Sequence, residues 1–369
     1  MKRELNFSIF KVKSLILLLF PCLCFSQNDF TAATAKADIL AQNFLKTNDV
    51  PGLSISISYN DTIVYSKGFG FANIEQKLPV IPSQSQFKIG SITKTITAIA
   101  LAKLVNTGKL DLDKSIYFYL DSLPKKEYDF TLRQIGGHVA GLKRVYLPYN
   151  TDSLHKVSHQ ELYNSFTGHL LFKPLTQYSY SNFGFELLGM MIEKASGMPF
   201  DEAAQNFVLK PLKMTATSFV PNNDSNTKYY TVTKNKEKIK SQYITYNVNT
   251  APGYYYATSE DLVKLGNGLL FTDRVLDKKM LLELIKPQKL TSGKSTRYGI
   301  GIEAFTDRNG NWSYGHSGRI YGGTSYLAIS PNFKLVIAIT VNCDYLKEGK
   351  IDALAYNITE PYIKIISKK

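Results

Sequence analysis

The stretch from Ser91 to Val105 constrains this chain more than any other. Ile92, Ile96, Ala98, Ile99, Ala100, Leu101, Leu104 and Val105 leave it almost no polar face. A helix that is apolar nearly all round has to be buried on most sides. It therefore lies inside the fold with other layers packed around it, and Gly108 follows as its stop signal. Lys94 and Lys103 are then the only charges on an element built for burial, and Lys94 stands in its first turn. Buried lysines are rare without a partner or a task.

The surrounding pattern changes along the chain. Residues 31–48 have helical periodicity, with Ile39, Leu40, Phe44 and Leu45 on one side, and Pro51-Gly52 ends it. Leu53 to Tyr59 alternates apolar residues with serines, the pattern of a half-buried strand. Asn60-Asp61 signals a hairpin, and Ile63 to Ser66 returns. The middle third is helical and loop-rich. It includes an apolar helix from Phe183 to Ala195 that ends at Ser196-Gly197. A second helix runs from Thr258 to Leu270, opened by Thr258 and Asp261 at capping-box spacing. Strand composition resumes at Tyr298 to Glu303, Ser325 to Ile329 and Leu335 to Val341, and a last helix runs from Gly349 to Ile366. Strands, then helices, then strands predict an α/β chain of the α+β type. Its antiparallel sheet is built from both chain ends and flanked by helices, with a helical region inserted over roughly 116–285.

The first residues read as a secretory signal. Lys2, Arg3, Lys11 and Lys13 are followed by an apolar run from Leu15 to Phe25, with small residues around Ser26. The run is short for a membrane span, which needs roughly 20 residues. Pro21 and Leu23 precede Cys22 and Cys24 where lipid attachment favours a small residue. The organisation expected is a signal peptide over 1–26, cut near Ser26/Gln27, and one domain over 27–369, exported to the periplasm or secreted. Only Cys343 then remains, so the mature chain has no internal disulfide and relies on its core. The chain carries +14; the four basic signal residues less Glu4 account for +3, which leaves +11. That charge fits contact with an anionic membrane surface or cell-wall polymer. It does not fit nucleic acid. The basic residues are scattered except in Lys234 to Lys240, which reads as a solvated loop, and none are interleaved with aromatics as recognition modules require.

Three short motifs carry chemistry. Ser-x-x-Lys occurs six times, but only Ser91-Ile92-Thr93-Lys94 opens a long apolar helix. Residues i and i+3 share a helix face. A serine needs an adjacent base to become nucleophilic, and burial lowers a lysine's pKa toward that role. Tyr180-Ser181-Asn182 is the chain's only Tyr-x-Asn and immediately precedes a helix. A phenol can shuttle protons and an amide can orient a lysine or hold a carbonyl. Read alone, this is a turn whose asparagine caps the helix. His316-Ser317-Gly318 precedes the strand near Ser325; read alone, its histidine is an ordinary loop residue.

Together, in this chain order, the three resemble the serine β-lactamase and penicillin-binding-protein superfamily, in its class C-like branch. The segments Phe87 to Lys94, Gly108 to Asp113, Thr131 to Gln134 with His138 to Leu142, Tyr180 to Gly197 and Ala257 to Leu262 extend the likeness. It covers about residues 34–342. The resemblance implies that Ser91 is the nucleophile, Lys94 its proton partner and Tyr180 the general base and acid. Asn182, His316, Ser317, Gly318 and Arg319 would contact substrate, with an oxyanion hole from the N–H groups of Ser91 and Arg319. It implies no cofactor and no metal. His138 would pack structurally, and Asp111 and Asp113 would be turn residues.

Two positions depart from the pattern. His316 stands where class C β-lactamases carry a lysine, and resembles the esterase, aminopeptidase and mitochondrial β-lactamase-like members instead. Arg319 nearby offers a positive charge, which keeps a carboxylate-bearing substrate open. Gly136-Gly137 replace leucines and would loosen a helix end. The expected activity is that of a serine hydrolase forming a Ser91 acyl-enzyme with an ester or amide, a small molecule or peptide. The alternatives are a β-lactamase or D-alanyl-D-alanine carboxypeptidase, or a non-catalytic wall- or ligand-binding module. An α/β-hydrolase is excluded because no histidine follows His316 to complete a triad with Ser317. His155 and His159 are poorly spaced for a metal site, since Ser158 and Glu161 look like a capping box beginning between them. The loop from Val145 to Tyr178 is expected to form part of the pocket wall.

Overall fold

The structure is a computed structural model that describes residues 29–145, 158–220, 226–232, 237–240, 251–271, 273–347 and 350–368. The segment read as a signal, His155, and parts of the Val145–Tyr178 and Lys234–Lys240 loops lie outside the described residues.

The chain opens with helix α1 (Thr31–Asn48), strands β1 (Gly52–Tyr59), β2 (Thr62–Asn73), β3 (Leu78–Pro79) and β4 (Phe87–Lys88), and helix α2 (Thr93–Asn106). Then follow α3 (Ile116–Tyr119), α4 (Leu132–Gly136), α5 (His159–Ser165), α6 (Asn182–Ser196) and α7 (Phe200–Ala204). Short strands β5 (Tyr230–Val232), β6 (Lys238–Lys240) and β7 (Tyr256–Ala257) precede α8 (Ser259–Leu270) and α9 (Lys278–Ile285). The chain closes with β8 (Glu303–Thr306), β9 (Trp312–Ile320), β10 (Gly323–Ser330), β11 (Leu335–Val341) and α10 (Ile351–Ile366).

Seven strands form one antiparallel sheet in the order β3-β2-β1-β11-β10-β9-β8, so the two chain ends meet where β1 pairs with β11. The hairpin turn is where Asn60 and Asp61 both adopt positive φ. One face of the sheet packs under α1 and α10. The other packs on a larger core that contains α2, α6 and α8.

Several sequence expectations are corrected. The buried stripe of α1 is Ala33, Ala37, Ala41 and Phe44, whereas Ile39 is 59% exposed. Small side chains let this helix lie close to the sheet, and Leu40 and Leu45 also pack against the core between them. Strand β1 is buried on both faces. The serines face α8: Ser54 and Ser56 hydroxyls lie 2.7 and 2.8 Å from Ser259 Oγ, and Ser58 donates to Asn267 Oδ1 at 2.6 Å. Serine–helix hydrogen bonds satisfy these buried hydroxyls, which is why a polar alternation reads falsely as an exposed face. The strand predicted over 298–303 lies instead over Glu303–Thr306, because Gly301 turns the chain at φ +66. Lys238–Lys240 is a strand paired with β5 and not a solvated loop. Gly136 and Gly137 do not loosen the end of α4. A Cβ at either would come within 2.6 Å of Ile300 or 2.3 Å of Gln288, so the glycines permit close packing.

Candidate active site

Ser91 lies in a 3-10 turn, Gly90–Ile92, that feeds directly into α2. Gly90 makes the turn possible. Its φ is +49, and a Cβ there would sit 2.8 Å from the backbone N of Arg319. The turn is thereby pressed against β9, and the Arg319 N–H neighbours the nucleophile's own backbone. Gly318 supports the same approach, since a Cβ there would strike the Ile89 carbonyl.

One helical turn on, Lys94 is fully buried. Its Nζ lies 3.2 Å from Ser91 Oγ, 2.9 Å from Asn182 Oδ1 and 2.5 Å from the Pro252 carbonyl. The carbonyl comes from a segment strapped to α2. The Thr97 hydroxyl donates to the Ala251 carbonyl at 2.7 Å, and the Ile89 N–H donates to the Tyr255 carbonyl at 3.0 Å. Pro252 belongs to no sequence motif, and a main-chain carbonyl leaves no mark in composition.

Burial pushes the Lys94 pKa well below the ordinary lysine value, the charge of Arg144 adds to this, and Glu186 opposes it. In its neutral form, which burial favours, the amine has two N–H donors and one lone pair. Asn182 Oδ1 and the Pro252 carbonyl can only accept, so they take both N–H groups. The lone pair is left for Ser91.

Tyr180 completes the group, with its hydroxyl donating to Ser91 Oγ at 2.8 Å. Burial raises its pKa, while the Ser91 hydrogen bond and Arg144 pull the other way. The α6 cap is Ser181, whose hydroxyl accepts from the Gly184 N–H. That frees the Asn182 amide for Lys94 and corrects the reading of Asn182 as a helix cap.

His138 grips this turn from behind. Its carbonyl accepts from the Ser179 N–H at 2.9 Å, its Nδ1 accepts from the Ser181 N–H at 3.1 Å, and its ring lies 4.2 Å from the Tyr180 ring. It does so at a φ of +61, which non-glycine residues seldom adopt. Packing alone, as the sequence suggested, understates this role.

His316 lies in strand β9 and not in a loop; Gly315 and Gly318 hide that strand from propensity. Its Nδ1 is 2.5 Å from the Ser317 carbonyl and so carries the proton. Nε2 then accepts from the Tyr298 hydroxyl at 2.7 Å. Burial pushes its pKa down to about 3. Glu303 Oε1, 3.9 Å from Nδ1, does not offset this, because burial pushes that carboxyl up to about 7.

A hollow of about 260 Å³ opens on Ser91 and is bordered by Arg144, Asn182, Gly253, Tyr254 and Tyr321, among others. A larger hollow of about 920 Å³ runs beside α10, touches Ser317, Gly318 and Arg319, and includes none of Ser91, Lys94 or Tyr180. The cluster of Ser91, Lys94 and Tyr180, not the volume, decides which hollow is the candidate site. His159 pairs with Glu193 at 2.9 Å, and among the described residues no group of three or more histidines, cysteines and carboxylates could hold a metal ion.

The Beta-lactamase family model matches residues 37–359. The chain belongs to the beta-lactamase family. The mitochondrial serine beta-lactamase-like protein LACTB of Homo sapiens is 25% identical over 323 residues, covering 65% of this chain and 58% of that protein. The chain spans less than two thirds of the length of the curated relatives it matches. The octameric penicillin-binding protein homologue from Pyrococcus abyssi superposes with a TM-score of 0.78 at 25% identity, covering 91% of this chain and 77% of that one. A beta-lactamase/D-alanine carboxypeptidase from Pseudomonas syringae gives 0.76 at 21% identity, over 89% of this chain and 99% of that one, and at that identity the likeness is one of fold. Within this beta-lactamase-family site, sequence motifs located Ser91, Lys94, Tyr180, Asn182 and His316. They missed Arg144, Pro252 and Tyr298, which are brought in by folding from segments without a motif.

Proposed function

We propose that this chain is a serine hydrolase that opens an ester or amide through an acyl-enzyme on Ser91, in the manner of an esterase or peptidase. The observation that carries the reading is the position of Lys94 Nζ. It is held by two obligate acceptors with its remaining valence toward Ser91 Oγ. In the first step the Ser91 proton passes to Lys94 as Oγ adds to the substrate carbonyl. The N–H groups of Ser91 and Arg319 receive the oxyanion. As the tetrahedral intermediate collapses, the neutral Tyr180 phenol gives its proton to the leaving group, and Lys94 returns its proton to Tyr180. A water entering where the leaving group departed repeats the sequence and frees the acid.

The neutral His316 supports substrates that need no fixed cation on that strand, and so the esterase or peptidase reading over a β-lactamase. We also propose export, on the basic and apolar opening of the chain.

Intact-mass spectrometry after exposure to a fluorophosphonate, and separately to a penicillin, tests this. The expected result is a fluorophosphonate adduct in wild type, none in Ser91→Ala, and no lasting penicillin adduct or ring opening. Penicillin acylation would put the β-lactamase or carboxypeptidase reading first. Labelling of neither kind would favour a binding module on the same fold.

A further inference from the structure

Sheet register decides which face of the sheet the Arg319 side chain takes. Side chains alternate along a strand, and cross-strand partners share a face. In β9 His316 is opposite Leu327, which lies in the core on the α2 side. Ser317 is opposite Tyr326, which lies in the core under α10, and Arg319 is opposite Thr324 on that same face. The Arg319 side chain therefore leaves the strand on the α10 face, and its backbone N–H is the group beside the Gly90 turn. Arg319 also borders the hollow that opens on Ser91, but its charge is not the one held against the Tyr180 ring.

Arg144 holds that place. Its carbonyl accepts from the N–H groups of Asn182 and Phe183 at 2.9 and 3.2 Å, which ties it to the start of α6. Its guanidinium carbon is 5.3 Å from the Tyr180 ring centre, and it borders the hollow that opens on Ser91. It is exposed, and among the described residues no carboxylate pairs with it. Asp344, also on the wall of that hollow, accepts from the Thr231 hydroxyl at 3.0 Å. The remaining wall is Arg319 and Ile320 from β9 together with amide, phenol and backbone groups. A fixed planar cation with free N–H forks beside a nucleophile matches one carboxylate.

We propose that Arg144 binds the anionic group of the substrate, so that this site prefers an ester or amide carrying a carboxylate on its acyl or leaving side. The inference deepens the hydrolase reading and rests on it for turnover, but not for binding. Because the guanidinium is exposed, the preference is modest, about tenfold in kcat/KM.

The test compares the mono-4-nitrophenyl ester of glutarate with 4-nitrophenyl pentanoate, which match in length and differ in charge. Wild type is expected to favour the glutarate ester about tenfold, less so at high salt. Arg144→Ala and Arg144→Gln should bring the ratio close to one, chiefly through KM for the anion, and Arg144→Lys should keep part of it. A ratio in Arg144→Ala equal to that of wild type overturns the proposal. Titration of the Ser91→Ala protein with N-phenylglutaramate and N-phenylpentanamide reads the same preference without turnover. Equal affinity there also overturns it. A carboxylate preference in that titration, with no Ser91-dependent hydrolysis of either ester, would sink the hydrolase reading and leave Arg144 in its role.

Discussion

The Tyr298 hydroxyl lies 2.7 Å from His316 Nε2, and the Ser317 carbonyl holds the proton on Nδ1. Both ring nitrogens are occupied and the ring is buried, so the histidine on this strand is a neutral scaffold. Nitrogen-15 NMR should show the Nδ1–H tautomer unchanged across about pH 5 to 8, the range in which free histidines titrate. A His316 titration midpoint inside that window would contradict this. Tyr298→Phe should leave the ring neutral but lower turnover by tilting it.

Lys94 should set the acid limb of the pH profile. Its pKa is depressed, and the base works only when unprotonated, so kcat/KM should rise with pH through that value and level off below the usual lysine value of about 10.4. Lys94→Met should remove that limb and cost about 10²–10⁴-fold in kcat/KM. Stability carries the same sign. The unfolded chain binds a proton that the folded state excludes, so the contribution of Lys94 to stability increases as pH rises toward the unfolded value. Lys94→Met should therefore flatten the dependence of Tm on pH in the alkaline range. A profile with an unchanged acid limb in Lys94→Met would remove the lysine from the role of base.

Gly90 should tolerate no side chain. Gly90→Ala adds a Cβ 2.8 Å from Arg319 N at a φ of +49. The left-handed strain alone is about 1–2 kcal/mol, and relief of the contact must pull the turn off β9. Thermal melting should fall by several degrees, and fluorophosphonate labelling of Ser91 should slow more than the melting loss explains. Labelling at the wild-type rate would show that the approach of Arg319 is immaterial.

His138 should act through its acceptor. In His138→Asn the side-chain oxygen can stand in for Nδ1 and receive the Ser181 N–H, and asparagine accepts positive φ. His138→Leu leaves that N–H buried and unpaired, at a cost of about 1–3 kcal/mol. Turnover should be partly kept in His138→Asn and lost in His138→Leu, with kcat and not KM carrying the difference. Equal losses in the two variants would return His138 to a packing role.

Much of the sheet and the pairing of Ser91 with Lys94 were legible along the chain. The apolar run of β11 matches its strand to the residue, the Asn60-Asp61 turn is where expected, and the Ser91–Lys94 helix announces its burial by lacking a polar face. Strand β9 was not legible, because glycines needed for its approach to Ile89 erase its propensity. The serines of β1 read as exposed because their partners lie on α8, about two hundred residues away.

By itself the sequence determined which side chains are short-range neighbours: Ser91 with Lys94 where a 3-10 turn runs into a helix, and Tyr180 with Asn182 at the start of another. Local periodicity and capping are sufficient for that. Only tertiary structure decided the charge states and facings, since these depend on what long-range packing places around each group. Burial lowers the Lys94 pKa. The Pro252 carbonyl takes one of that lysine's N–H groups, burial and the Tyr298 hydrogen bond keep His316 neutral, and folding brings Arg144 and Arg319 from distant segments to the hollow that opens on Ser91.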